Sequence, residues 1–92
     1  MTLSRTDRAA LKAMAAALPD ITDPDDIRGL ADWIGSIPAG GNKHFGNLLW
    51  LAQWAVGDIG QNEHNDHHDD IETARRAING VLDYRPAMAA AA

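Results

Sequence analysis

The residues whose chemistry stands out lie in one short segment, residues 63–72, which reads Glu-His-Asn-Asp-His-His-Asp-Asp-Ile-Glu. Imidazole nitrogens and carboxylate oxygens are common protein ligands for divalent cations such as zinc. If this segment is helical, His64 and His68 project together because they are one turn apart. Glu63 and His67 are the neighbouring candidate ligands. The segment therefore predicts a divalent-metal site as one interpretation.

The same residues also fit a structural role at the start of a helix. When a following helix is extended backwards at about 100° per residue, His67 falls on its apolar face and His64 on the edge of that face. Asp66, Asp69 and Asp70 then lie near the N-terminal end, where the helix dipole favours negative charge. Clustered histidines also titrate near neutral pH, which makes a pH-sensitive element a third interpretation. We favour the structural role and expect no cofactor.

Composition narrows the remaining classes of function. The length of 92 residues predicts a single domain. Because the chain has no cysteine, disulfide bonds and thiol catalysis are excluded. No serine or threonine lies in a nucleophile-elbow motif. The sequence has neither the roughly 20-residue apolar run of a membrane span nor the apolar segment of a signal peptide. We therefore expect a soluble, cytoplasmic, non-enzymatic protein that does not act at a membrane.

Negative charge is concentrated in two segments. The net charge of the chain is −5, whereas residues 20–35 alone carry −4 and residues 58–72 carry −6. Since no basic stripe is present, direct nucleic-acid binding is not expected. Acidic segments either meet solvent or steer a basic surface of another protein. The candidate partner-binding carboxylates are Asp20, Asp23, Asp25, Asp26, Asp66, Asp69 and Asp70.

The hydrophobic pattern predicts an all-α fold, a compact bundle of four short helices. A short fifth helical turn near residues 60–65 is the alternative. Ser4 and Asp23 are the predicted N-caps of the first two helices, and Pro24 follows as a favourable first residue. Residues 1–86 form the predicted domain, and the Ala-rich residues 87–92 are expected to fray. The four predicted helices cover about residues 5–18, 24–35, 43–59 and 66–84.

The third predicted helix is apolar around nearly its whole circumference. Its plainly polar residues after the first turn are Asn47, Gln53 and Asp58. A helix of this kind is either central in its domain or lies at an interface. Trp50 and Trp54 lie one turn apart on the same side, so they are either core residues or anchors for a partner. The sequence leaves both interpretations open.

In size and charge, the chain is similar to the small acidic inhibitor proteins carried by phages and mobile elements, including anti-CRISPR proteins. The resemblance rests on the acidic residues 20–26 and 63–72, the lack of cysteine and the helical layout. It implies a protein that blocks a basic nucleic-acid-binding surface of a partner and has no catalysis of its own. Together with the charge pattern, it predicts a protein-interaction module, with a metal-binding helical protein as the alternative.

The first testable prediction concerns the histidine segment. Exhaustive chelation of the full chain should leave its thermal midpoint unchanged, because the structural interpretation needs no metal. Differential scanning calorimetry before and after chelation measures this. A midpoint that falls on chelation and recovers with zinc or nickel would establish residues 63–72 as a metal site instead.

Overall fold

The computed structural model describes residues 3–59, 61 and 67–84, and for His67 the backbone alone. The described part of the chain is all-α and contains no strand, which confirms the predicted fold class. The predicted turn near residues 60–65 and the Ala-rich residues 87–92 lie outside the described residues, apart from Gln61. The elements in chain order are α1 (Arg5–Ala17), a 3₁₀ turn (Leu18–Asp20), α2 (Pro24–Gly35), α3 (Lys43–Gly57) and α4 (His67–Leu82).

The predicted N-caps of the first two helices are confirmed. The Ser4 hydroxyl accepts a hydrogen bond from the Asp7 amide at 3.0 Å. The Asp23 carboxylate accepts one from the Asp25 amide at 2.9 Å, with Pro24 as the first residue of α2. Each cap satisfies a backbone amide that has no partner within its own helix.

Three predicted helix ends differ from the structure by one or two residues. The first helix ends at Ala17 rather than at residue 18, and the chain tightens into the 3₁₀ turn that contains Pro19. Proline has no amide hydrogen to donate, so the regular α-helical bonding stops there. The third helix ends at Gly57 rather than residue 59, and the fourth ends at Leu82 rather than residue 84.

The apolar faces of the helices meet in a single core. Every residue predicted for the stripe of α1 is buried, and so are most of those predicted for the other helices. Leu30 and Leu48 are partly buried at the edge of this core. Within the described residues, no polar or charged residue is buried. The largest fully buried side chains are Phe45, Leu11, Leu18, Ile34, Ile78, Val56 and Val81.

A short loop connects α2 to α3 and reverses the chain. Gly40 and Gly41 both have positive φ, at 64° and 79°, a backbone region that glycine enters without steric cost. The amide of Asn42 donates to the carbonyl of Ala39 at 3.2 Å and closes the turn. As a result, α2 and α3 form an antiparallel pair.

Two polar contacts attach the C-terminal end of α4 to its neighbours. Asn42 caps α3 through the Phe45 amide, and its side-chain amide also donates to the Tyr84 hydroxyl at 2.6 Å. The guanidinium of Arg8 donates to the Leu82 carbonyl at 2.8 Å. This bond places a cation at the negative end of the α4 dipole, where it is stabilising. The start of α1 and the start of α3 therefore both lie beside the end of α4.

In the described ranges, none of the helices combines the length and the apolar content that crossing a bilayer requires.

The second prediction tests this core. Leu49 and Ile78 are 5% and 0% exposed, so truncating either to alanine should cost about 2–5 kcal/mol of unfolding free energy. Leu51→Ala is the matched control, since Leu51 lies on the same helix as Leu49 but is exposed. Urea denaturation measures all three variants. A loss below about 0.5 kcal/mol for Ile78→Ala would contradict the described core.

Candidate functional site

The antiparallel arrangement brings the two acidic segments to one end of the bundle. Pro24 and Ile27, at the start of α2, line the same groove as Gly57 and Asp58, at the end of α3. The start of α4 lies at this end as well, because its other end contacts the start of α3 through Tyr84. The 3₁₀ turn after α1 also packs against α4.

We call this end the acidic pole and define it by the described carboxylates in the 3₁₀ turn, at the caps and in the first turns of the helices that meet there. They are Asp20, Asp23, Asp25, Asp26, Asp58, Asp69 and Asp70. All are exposed except Asp70, which is partly buried. Residues more than 40 positions apart thus share one surface. Asp66, which the sequence also predicts for this surface, lies outside the described residues.

Part of the acidic pole has a local role in stabilising helices. Asp23 caps α2, and Asp25 and Asp26 lie in its first turn. Asp69 and Asp70 lie in the first turn of α4. Negative charge near a helix N-terminus contributes about 0.3–1 kcal/mol at exposed sites. This local gain explains why carboxylates are tolerated side by side at these positions.

The histidine segment is described only in part. Glu63 and His64 lie outside the described residues, as does the side chain of His67. His68 lies in the first turn of α4 and is exposed. Over residues 3–59, 61 and 67–84, no three histidine or carboxylate side chains are grouped as a metal ion would need. The metal interpretation therefore stays a prediction from sequence.

The exposed residues of α3 form a second surface. Trp50, Leu51 and Trp54 are 54%, 51% and 60% exposed. The interpretation of the two tryptophans as core residues is therefore wrong. The physical reason is that α2 and α4 cover two sides of α3, whereas α1 packs against α4. One side of an almost wholly apolar helix is left facing outward.

We call this surface the α3 stripe. Its residues follow helical spacing and run the full length of the helix: Lys43, Asn47, Trp50, Leu51, Trp54 and Asp58. His44 lies at its border and is also exposed, with its ring 5.5 Å from that of Tyr84. The stripe is apolar in the middle, with a cation at one end and an anion at the other.

The two indoles of the stripe contact each other. Their ring centroids are 5.7 Å apart and their planes are tilted by 44°, within the range of favourable aromatic pairs. They form one wall of an open groove of about 480 Å³ between α2 and α3. The opposite wall carries Arg28 and Asp32. The indole pair therefore presents a broad, preformed apolar surface.

Sequence reasoning missed some of these residues. It did not select Leu51, Lys43 or Asp58, although all three are exposed on the α3 stripe. The signal that could have found them is the continuation of the spacing of Trp50 and Trp54 by one turn in each direction.

The chain was compared with protein-family models, curated proteins and solved structures. No protein-family model, no curated protein and no solved structure matches the chain.

The third prediction tests the exposure of the indoles. Trp33 packs partly buried against the core, whereas Trp50 and Trp54 are exposed. The double variant Trp50→Phe/Trp54→Phe should therefore emit at shorter wavelength than the native protein and be quenched less by acrylamide. The variant Trp33→Phe is the matched control and should shift both quantities the other way. Equal quenching of the two variants at low protein concentration would contradict the described exposure.

Proposed function

We propose that this protein is a non-enzymatic protein-interaction module that engages a basic surface of a partner protein through its acidic pole. The observation that carries the proposal is the convergence of two acidic segments at one end of the bundle. Carboxylates grouped in this way create a negative potential that steers a basic partner and raises its association rate.

The proposed partner is a nucleic-acid-binding protein or complex, because surfaces that bind phosphates are rich in lysine and arginine. An acidic pole that occupies such a surface competes with nucleic acid for it. This is the inhibitory role that the resemblance to small phage and mobile-element inhibitors implies. In this proposal the protein acts as an inhibitor or adaptor and binds no nucleic acid itself.

In this proposal the acidic pole and the α3 stripe have different roles in binding the partner. Exposed charges such as those of Asp25, Asp26 and Asp69 act mainly on the association rate. Indoles such as those of Trp50 and Trp54 act mainly on the dissociation rate, because they bury a large apolar area. A contact at the acidic pole alone is therefore fast to form and sensitive to salt.

The fourth prediction concerns association kinetics. The triple variant Asp25→Asn/Asp26→Asn/Asp69→Asn should associate more slowly with a basic partner and lose most of the salt dependence of the association rate. Salt screens charges over roughly 8–10 Å, so exposed carboxylates act mainly at low ionic strength. Basic proteins captured on the immobilised native chain and released by duplex DNA are the probes. Stopped-flow or surface kinetics at two ionic strengths measures the rate.

The matched control for this experiment is Asp7→Asn/Asp32→Asn/Asp83→Asn. It removes the same charge from residues outside the acidic pole and should retain most of the association rate. Circular dichroism should show unchanged helix content in both triple variants. If both triple variants bind equally, or if duplex DNA releases no captured protein, the proposal is wrong.

A further inference from the structure

The α3 stripe has a symmetrical layout. Its midpoint lies between Trp50 and Leu51, and each remaining residue has a counterpart at the same distance on the other side of that point. These counterparts are Asn47 with Trp54 and Lys43 with Asp58. At about 1.5 Å per residue, the stripe is roughly 22 Å long. A two-fold axis through its midpoint therefore brings it into register with an inverted copy of itself.

The charges at the two ends of the stripe oppose the dipole of their own helix. Lys43 is the first residue of α3 and Asp58 is its C-cap, and the helix has no acidic residue in its first turn and no basic residue in its last. A cation at the N-terminus and an anion at the C-terminus are both unfavourable for an isolated helix. An antiparallel helix lying alongside offers each charge an opposite one.

From this self-complementary pattern we propose that a second copy of this chain covers the α3 stripe in a two-fold symmetric, antiparallel dimer. In an interface of this type, the same patch of both subunits makes the contact. Asp58 then lies beside the N-terminal turn of α3 of the second copy, which carries Lys43 and His44. The indoles and Leu51 form the apolar centre.

Asn47 has a specific place in this arrangement. It lies opposite Trp54 of the second copy, because the two residues are equally far from the midpoint. A buried indole needs an acceptor for its N–H group, and the side-chain oxygen of an asparagine is one. The polar residue within the apolar stripe thus also has a partner.

Charge favours a second copy over a basic partner at this surface. A uniformly basic segment would complement Asp58 and oppose Lys43, whereas an inverted copy complements both. The contact is small, since stable interfaces bury about 800 Å² on each partner and one helix face provides less. We therefore expect a weak dimer with a dissociation constant on the order of 10–100 μM. The inference assigns the indoles and Asp58 to the second copy, but it leaves the carboxylates of α2 and α4 outside the contact, so a basic partner can still reach most of the acidic pole.

The fifth prediction is the oligomeric state of the full chain. Sedimentation equilibrium from about 1 μM to about 1 mM, a range that covers weak interfaces, should show the mass rising from one chain to two. Trp54→Glu should weaken association at least about 100-fold, because the change occurs in both subunits. Thr73→Glu is the matched control, since it adds the same charge at an exposed position of α4 and should dimerise as the native protein does.

A charge exchange tests the antiparallel register. Lys43→Asp and Asp58→Lys should each weaken the dimer by about tenfold at low salt, because each creates two like-charge contacts. An equimolar mixture of the two variants should associate again as a heterodimer, since opposite charges then meet at both ends. Each substitution improves the charge of its own helix end, so a loss of association does not arise from misfolding.

Three results would overturn the inference. The first is a chain that stays monomeric throughout the concentration range. This result would also be obtained if other residues of the same chain covered the α3 stripe. The second is a dimer that Trp54→Glu leaves intact. The third is a dimer that Lys43→Asp and Asp58→Lys each leave as stable as the native one, as a parallel pairing would require, because parallel copies oppose like charges in the native chain and in both variants. Triple substitution at Asp25, Asp26 and Asp69 should leave the dimer intact, so failure of this inference is distinguishable from failure of the proposed function.

Discussion

The arrangement of this protein depends on how α3 is packed. One side of the helix is buried through Phe45, Leu49, Ala52 and Val56, and these residues hold α2 and α4 on either side of it. Two neighbouring helices cannot enclose a helix that is apolar almost all round, and α1 is occupied by its contact with α4. Burial of one face of α3 therefore builds the core, and the same packing leaves its opposite face outside.

The antiparallel packing of α3 against α2 and against α4 also determines where the charges lie. Carboxylates near a helix N-terminus are stabilised by the dipole of that helix. Because α2 and α4 both start at the same end of the bundle, two local preferences add up to one acidic surface. Mutual repulsion among these groups is moderated by water and salt, since nearly all of them are exposed. Carboxylates that stabilise their own helix ends thus together create a negative electrostatic potential around the acidic pole.

The two surfaces differ in the kind of contact they can make. The acidic pole is hydrated and carries charge of one sign, which favours fast and salt-sensitive encounters. The α3 stripe is apolar in its centre and carries opposite charges at Lys43 and Asp58, which favours contact with an inverted copy. An antiparallel dimer would place the acidic poles of its two subunits at opposite ends of the contact, with Asp58 inside it and the carboxylates of α2 and α4 available to a partner.

The sequence by itself determined the helices and most of the core. Ser4, Asp23 and Pro24 mark helix starts through bonds within a few residues, and the spacing of Leu11, Met14 and Leu18 identifies a buried face without knowledge of its neighbours. The tertiary structure decided which side chains are exposed and which distant segments come together, because capping residues and helical periodicity carry no information about neighbouring helices. The exposure of Trp50 and Trp54 depends on which helices lie beside α3, and a helix that is apolar all round has no periodic signal to indicate its outer side. The joining of residues 20–26 with Asp69 and Asp70 likewise depends on helix direction, which follows from packing between segments distant in sequence.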